Sequence, residues 1–132
     1  MSRMVISPPH PILFVYDPTN KDVVDPVHID DQLTVATESS VSVKVQASVD
    51  GDVDICLDLG DTLPSSTLYR AFSGRIATPG GKIAIVTSEL EPLLDLDVPK
   101  GSVAVCIWVD DVHRPAQVVV TVMDANPSSQ GA

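Results

Sequence analysis

The sequence predicts an all-β fold, a two-layer antiparallel β-sandwich of about eight short strands. Three observations predict it. Short apolar runs rich in valine and isoleucine recur along the chain, bounded by proline, glycine, aspartate and asparagine. Valine dominates the apolar set while aromatics make up only 4%, and β-branched side chains pack well on a pleated surface. Residues 41–49 alternate strictly, with Val41, Val43, Val45, Ala47 and Val49 in one phase and Ser42, Lys44, Gln46 and Ser48 in the other. That period of two marks a half-buried strand. The 132 residues suit one domain with a real core, spanning residues 1–132.

In chain order, residues 1–11 read as a loose N-terminal arm, because Pro8, Pro9 and Pro11 lack donors and extend their neighbours. Residues 12–16 (ILFVY) form the first strand, and Asp17-Pro18-Thr19-Asn20 turns the chain. Residues 23–31 suit an irregular edge or loop, and residues 32–37 a short strand. Residues 41–49 and 53–59 are expected to pair as a hairpin across Asp50-Gly51. Val53, Ile55, Leu57 and Leu59 then face inward, and Asp52, Asp54 and Asp58 outward, in a row of carboxylates beside Lys44. Residues 68–77 read as a strand with a bulge at Gly74. Residues 82–88 form another strand after the Pro79-Gly80-Gly81 turn, and residues 89–92 could hold one helical turn. Residues 94–109 carry a strand-like run, a Pro99-Lys100-Gly101 turn and the apolar run 103–109. This last run is expected to be a central strand buried on both faces, with Trp108 in the core. Residues 117–123 close the fold, and residues 126–132 are a polar tail.

Formal net charge is −10, from 18 acids and 8 bases. Such a chain lacks the basic footprint that nucleic acid or an anionic membrane demands. Residues 1–66 carry 11 acids and 3 bases, and residues 67–132 carry 7 and 5. That asymmetry suggests a face with a job, and the net charge permits a basic protein partner. Asp50, Asp52, Asp54 and Asp58 are its leading candidates, followed by Asp110 and Asp111.

Catalytic and metal chemistry find no pattern. Asp50, Asp52 and Asp54 match the first spacings of a calcium loop, but Ile55 stands where its glycine is needed and Asp61 replaces its glutamate. His10, His28 and His113 are too scattered for a zinc site. There is no Gly-x-Ser-x-Gly elbow, and Pro79-Gly80-Gly81 precedes a strand rather than a helix. The two cysteines, Cys56 and Cys106, sit in apolar runs, as buried thiols do. No signal peptide and no apolar stretch of membrane length stands out, so a reducing cytoplasm is the expected home. No cofactor, metal or enzymatic activity is expected.

Several pieces of the chain carry a resemblance. The strand Ile83-Ala84-Ile85-Val86-Thr87-Ser88 is followed by Asp97-Val98-Pro99-Lys100-Gly101, a Cys106-Ile107-Trp108 strand and a final valine-rich strand. This pattern, over residues 41–123, resembles the family of the competence protein ComJ and its β-sandwich relatives. The resemblance implies an inhibitor or immunity protein directed at a nuclease or toxin. Where that family often has an aromatic just after the glycine, Ser102-Val103 stand here. The leading expectation is therefore an acidic cytoplasmic inhibitor of a basic nuclease or toxin. The alternative is a structural module that self-assembles into homo-oligomers through its strand edges.

Overall fold

Residues 2–7, 10–23, 32–60, 67–87 and 92–123 are described by the computed structural model. Their alternating apolar residues build ten strands: β1 (Ser2–Ile6), β2 (Ile12–Tyr16), β3 (Thr34–Ala36), β4 (Ser40–Lys44), β5 (Val53–Leu59), β6 (Tyr69–Thr78), β7 (Lys82–Thr87), β8 (Pro92–Asp97), β9 (Gly101–Val109) and β10 (Gln117–Val122). One 3₁₀ turn lies at Ser48–Asp50. The strands form two five-stranded sheets, ordered β1-β5-β10-β9-β6 and β3-β4-β2-β7-β8. Pairing is antiparallel except between β5 and β10, which run parallel. The all-β sandwich is the expected fold. The expected helical turn and polar tail fall largely or wholly outside the described residues, and Pro92 opens β8.

The core fills the space between the two inner faces. Leu13 and Val15 of β2, Val41 and Val43 of β4, Ile83 and Ile85 of β7 meet Ile55 and Leu57 of β5, Val105 and Ile107 of β9, and Val118 and Val120 of β10. All are essentially shielded from water. Burial of this kind contributes roughly 25 cal/mol per Å² of apolar surface, which is why alternation of valine and isoleucine is enough to choose the inner face.

Three expectations need correction. The N-terminal arm is not loose in residues 2–6. They form β1, an edge strand paired antiparallel with β5. The prolines begin only after Ile6, so nothing in β1 itself denies the ladder its donors.

Residues 41–49 and 53–59 are not a hairpin. β4 lies in one sheet and β5 in the other. The Asp50-Gly51 pair still turns the chain, with Gly51 at φ 134°, but the turn crosses between layers. Residues that alternate in each strand cannot report which strand lies beside it. Gln46 holds the crossing: its N–H donates to the Pro115 carbonyl at 2.9 Å, and its side chain donates to the Asp52 carbonyl at 2.7 Å. Val49 and Leu59, expected inside, are 91% and 47% exposed; Val49 lies in the 3₁₀ turn and Leu59 is the last residue of β5.

The bulge in β6 falls at Ala71, where the register with β9 shifts between Arg70 and Phe72, and not at Gly74. Gly74 pairs regularly with Val105. An added Cβ there would stand 2.8 Å from the Phe72 ring, so glycine makes room for Phe72. The bulge has a consequence for side-chain direction. Simple alternation puts Arg70 in phase with Phe72 and Ile76, facing the core. The extra residue flips Arg70 to the outer face, directly across from Trp108. The freed Ala71 carbonyl accepts a bond from the Thr34 hydroxyl of β3 at 3.2 Å, which ties the two sheets together at that edge.

A second tie is made by Asp17, at the end of β2. This carboxylate is wholly buried. It accepts bonds from Thr19 N–H at 2.8 Å, the Thr19 hydroxyl at 2.7 Å and Gly80 N–H at 2.8 Å. Gly80 belongs to the turn joining β6 of one sheet to β7 of the other, so Asp17 fixes that crossover against β2.

Candidate functional site

The outer face of the β1-β5-β10-β9-β6 sheet carries Asp54, Asp58, Trp108 and both cysteines. Strand register sets them in rows. Asp54 lies beside Gln117, and Asp110 lies beyond it, its N–H donating to the Gln117 carbonyl at 3.3 Å. The next row is Arg3, Cys56, Val119, Trp108 and Arg70. The row after that is Asp58, Thr121, Cys106 and Ser73. The face thus runs from carboxylates on β5, through an apolar middle, to exposed Arg70 and Arg75 on β6.

Trp108 occupies the middle of this face, which corrects the expectation that it sits in the core. It is half-buried, and its indole N–H donates to the Thr121 hydroxyl at 3.2 Å. The run 103–109 hid the two phases. Val103, Val105, Ile107 and Val109 point inward and are fully buried, while Ala104, Cys106 and Trp108 point outward. An almost unbroken apolar run erases the polar alternation that would have separated the faces.

Both cysteines are buried and free, as their apolar surroundings predict, yet both lie on this outer face beneath their neighbours rather than between the sheets. Cys106 Sγ lies 3.7 Å from the Ser73 hydroxyl and 3.7 Å from Met123 Sδ. Burial pushes the Cys56 thiol above its ordinary pKa, and the nearby Asp58 carboxylate adds to the rise. A protonated, covered thiol is a poor nucleophile. Iodoacetamide at neutral pH should therefore label Cys56 of the folded protein many-fold more slowly than that of urea-unfolded protein. Equal rates by mass spectrometry would show that Cys56 is accessible as a thiolate.

The six acidic candidates divide into groups. Asp50 and Asp52 are exposed at the crossing from β4 to β5. Asp54 and Asp58 stand on the outer face of β5, on either side of Cys56, and are half-buried. Asp54 takes a bidentate grip from Arg3 of β1, with Nε to Oδ1 at 2.9 Å. Its carboxylate holds the Arg3 guanidinium still more firmly protonated. This partner was not foreseen, because Arg3 lies in the stretch read as a loose arm. Asp58 Oδ1 accepts a bond from Leu59 N–H at 2.8 Å.

Asp110 and Asp111 shape the loop between β9 and β10. Asp110 Oδ1 accepts from Ala116 N–H at 2.9 Å and Gln117 N–H at 3.0 Å. Asp111 Oδ1 accepts from His113 N–H at 2.7 Å and Arg114 N–H at 3.1 Å. Those two backbone donors lower the Asp111 pKa below the usual aspartate value, so its charge persists further into acid. Asp54 joins this end of the sheet, since its N–H donates to the Ala116 carbonyl at 2.8 Å. Nearby, Gln32, Leu33, Lys44, Val112 and His113 line an open depression of about 360 Å³. Among the described residues, no three His, Cys, Asp or Glu side chains gather as a metal-ligand set. No helix of the described residues is long and apolar enough to cross a membrane.

No protein-family model matches this sequence, and no curated protein matches it. Two solved structures are similar over nearly the whole chain. One is ComJ of Bacillus subtilis, described as an inhibitor of the DNA-degrading activity of NucA. It is 16% identical with a TM-score of 0.69, and the match covers 94% of this chain and 96% of ComJ. The chain shares the ComJ fold. The other structure, described as crocagin biosynthetic gene J, is 11% identical with a TM-score of 0.55, covering 94% of this chain and 96% of its own. The resemblance carried by residues 41–123 thus extends, as a fold, to almost the full length.

Proposed function

We propose that this protein is a non-catalytic, cytoplasmic inhibitor that binds a basic nuclease and blocks its DNA cleft. The observation that carries the reading is the shared fold with ComJ, an inhibitor of a nuclease's DNA-degrading activity, over 94% of this chain. The net charge of −10 supports a basic partner. Carboxylates can stand where DNA phosphates would lie, and long-range attraction raises the association rate. Asp50, Asp52, Asp54 and Asp58 form the leading contact set, with Asp110 and Asp111 near Asp54 at its end of the sheet. Asp54 meets the partner only as part of its pair with Arg3, and Asp110 and Asp111 serve the loop as well as the surface.

The test separates charge from scaffold. Asp50/Asp52/Asp58→Asn removes three negative charges while sparing the Arg3–Asp54 pair and the β9–β10 loop. Asp50 and Asp52 are exposed, and the amide of Asp58→Asn keeps an oxygen for the Leu59 N–H, so the melting temperature should hold. Plasmid degradation by a NucA-like nuclease from the same cell should be blocked by the parent protein. The triple variant should associate about tenfold more slowly at low salt, and the difference should shrink as salt screens the field. No inhibition by the parent would end the nuclease reading. Equal association rates at low and high salt would leave the nuclease reading and remove these aspartates from it.

A further inference from the structure

We propose that β1 is an exchangeable strand, and that two copies of this chain trade it across the β5 edge to form a dimer. The proposal does not depend on nuclease inhibition. β1 lies at the edge of its sheet, held by one ladder of five residue pairs with β5. Of its side chains, Ile6 packs against the core, whereas Met4 and Val5 are 36% and 58% exposed. Arg3 adds its pair with Asp54. The following strand, β2, lies in the opposite sheet. The sequence between the two strands holds three prolines, Pro8, Pro9 and Pro11.

The β5 edge also needs an occupant. Without β1, its ladder N–H and C=O groups would stand unpaired, and such an edge templates pairing with another chain. The best-fitting strand for it is β1 itself, and a second copy carries the same one. Exchange keeps the register, the Ile6 contact and the pairing of Arg3 with Asp54, now between copies. The intramolecular and exchanged forms therefore differ mainly in the linker and in the cost of association, so concentration decides between them.

A charge-reversal pair tests this directly. Arg3→Asp places two carboxylates against each other within one copy, and Asp54→Arg places two guanidinium groups together. Each variant alone is mismatched in itself and with its like. Mixed, the two restore both pairs, but only if β1 crosses between copies. Light scattering should find each variant monomeric at a concentration where the equimolar mixture has twice the mass. A mixture that keeps the monomer mass, from micromolar to millimolar protein, overturns the proposal. If either variant fails to fold, Arg3→Cys supplies the second test, because residue 3 faces Cys56 in the ladder. With Cys106→Ser to remove the other thiol, mild oxidation after incubation at high concentration should give a covalent dimer linked 3 to 56. A disulfide found only within single chains, or no disulfide-linked dimer at any concentration, overturns exchange.

Discussion

Asp17→Ala is expected to destabilise the fold by about 3–5 kcal/mol, a large share of the roughly 5–15 kcal/mol that holds such a domain together. The carboxylate is wholly buried and takes three bonds, two from Thr19 and one from Gly80 N–H. Bonds to a charged group contribute about 1.5–3 kcal/mol each, and removing the acceptor leaves its donors without partners. Asp17→Asn keeps one acceptor oxygen and should cost about half as much. The turn on the other side offers a check. A Cβ on Gly80 would fall 1.4 Å from the Thr19 hydroxyl oxygen, so Gly80→Ala must push Thr19 off Asp17. The double variant Asp17→Ala/Gly80→Ala should then cost clearly less than the sum of its parts. Urea denaturation measures all four chains. A loss below about 1 kcal/mol for Asp17→Ala would mean that the β6–β7 crossover is not pinned through this residue.

Ile107→Ala should cost about 2–5 kcal/mol, and Trp108→Ala, one residue on, only about 1–2 kcal/mol. The order reverses what side-chain size suggests. Ile107 is fully buried between the sheets, so truncation leaves a cavity that the surrounding strands cannot close. Trp108 lies half-buried on the outer face, where its loss forfeits the bond to Thr121 and contact with Val119 but opens no internal void. Denaturation midpoints of the two variants decide the matter, and quenching of the parent's single tryptophan by acrylamide gives an independent reading. A Trp108 variant as unstable as the Ile107 variant, with an unquenched indole in the parent, would return Trp108 to the core.

Much of the fold was legible because alternation reports burial. β2, β5, β7, β9 and β10 lie close to their expected positions, and the inward phases of Val41, Val43, Val53, Ile55 and Leu57 agree with the buried core. Alternation reports nothing about neighbours. The Asp50-Gly51 turn suits a hairpin and suits a crossover equally, and only the packing of two layers sends β4 and β5 to different sheets. The candidate site was legible as composition. The six candidate acids lie on exposed or half-buried positions. Their partners were not legible, since Arg3 lies 51 positions from Asp54 in sequence.

The sequence by itself determined that this chain is built of strands, which side chains turn inward in most of them, and how acidic its surface is. These follow from local sterics, from side-chain period and from formal charge, none of which needs a contact between distant residues. Tertiary structure alone decided the sheet order, the parallel pairing of β5 with β10, the place of β1 and the outward face of Trp108. The bulge at Ala71 that brings Arg70 beside that tryptophan belongs with these. Each depends on which strand lies alongside and on where a ladder slips by one residue. A one-residue slip exchanges the two faces of a strand, and no pattern within a single strand records it.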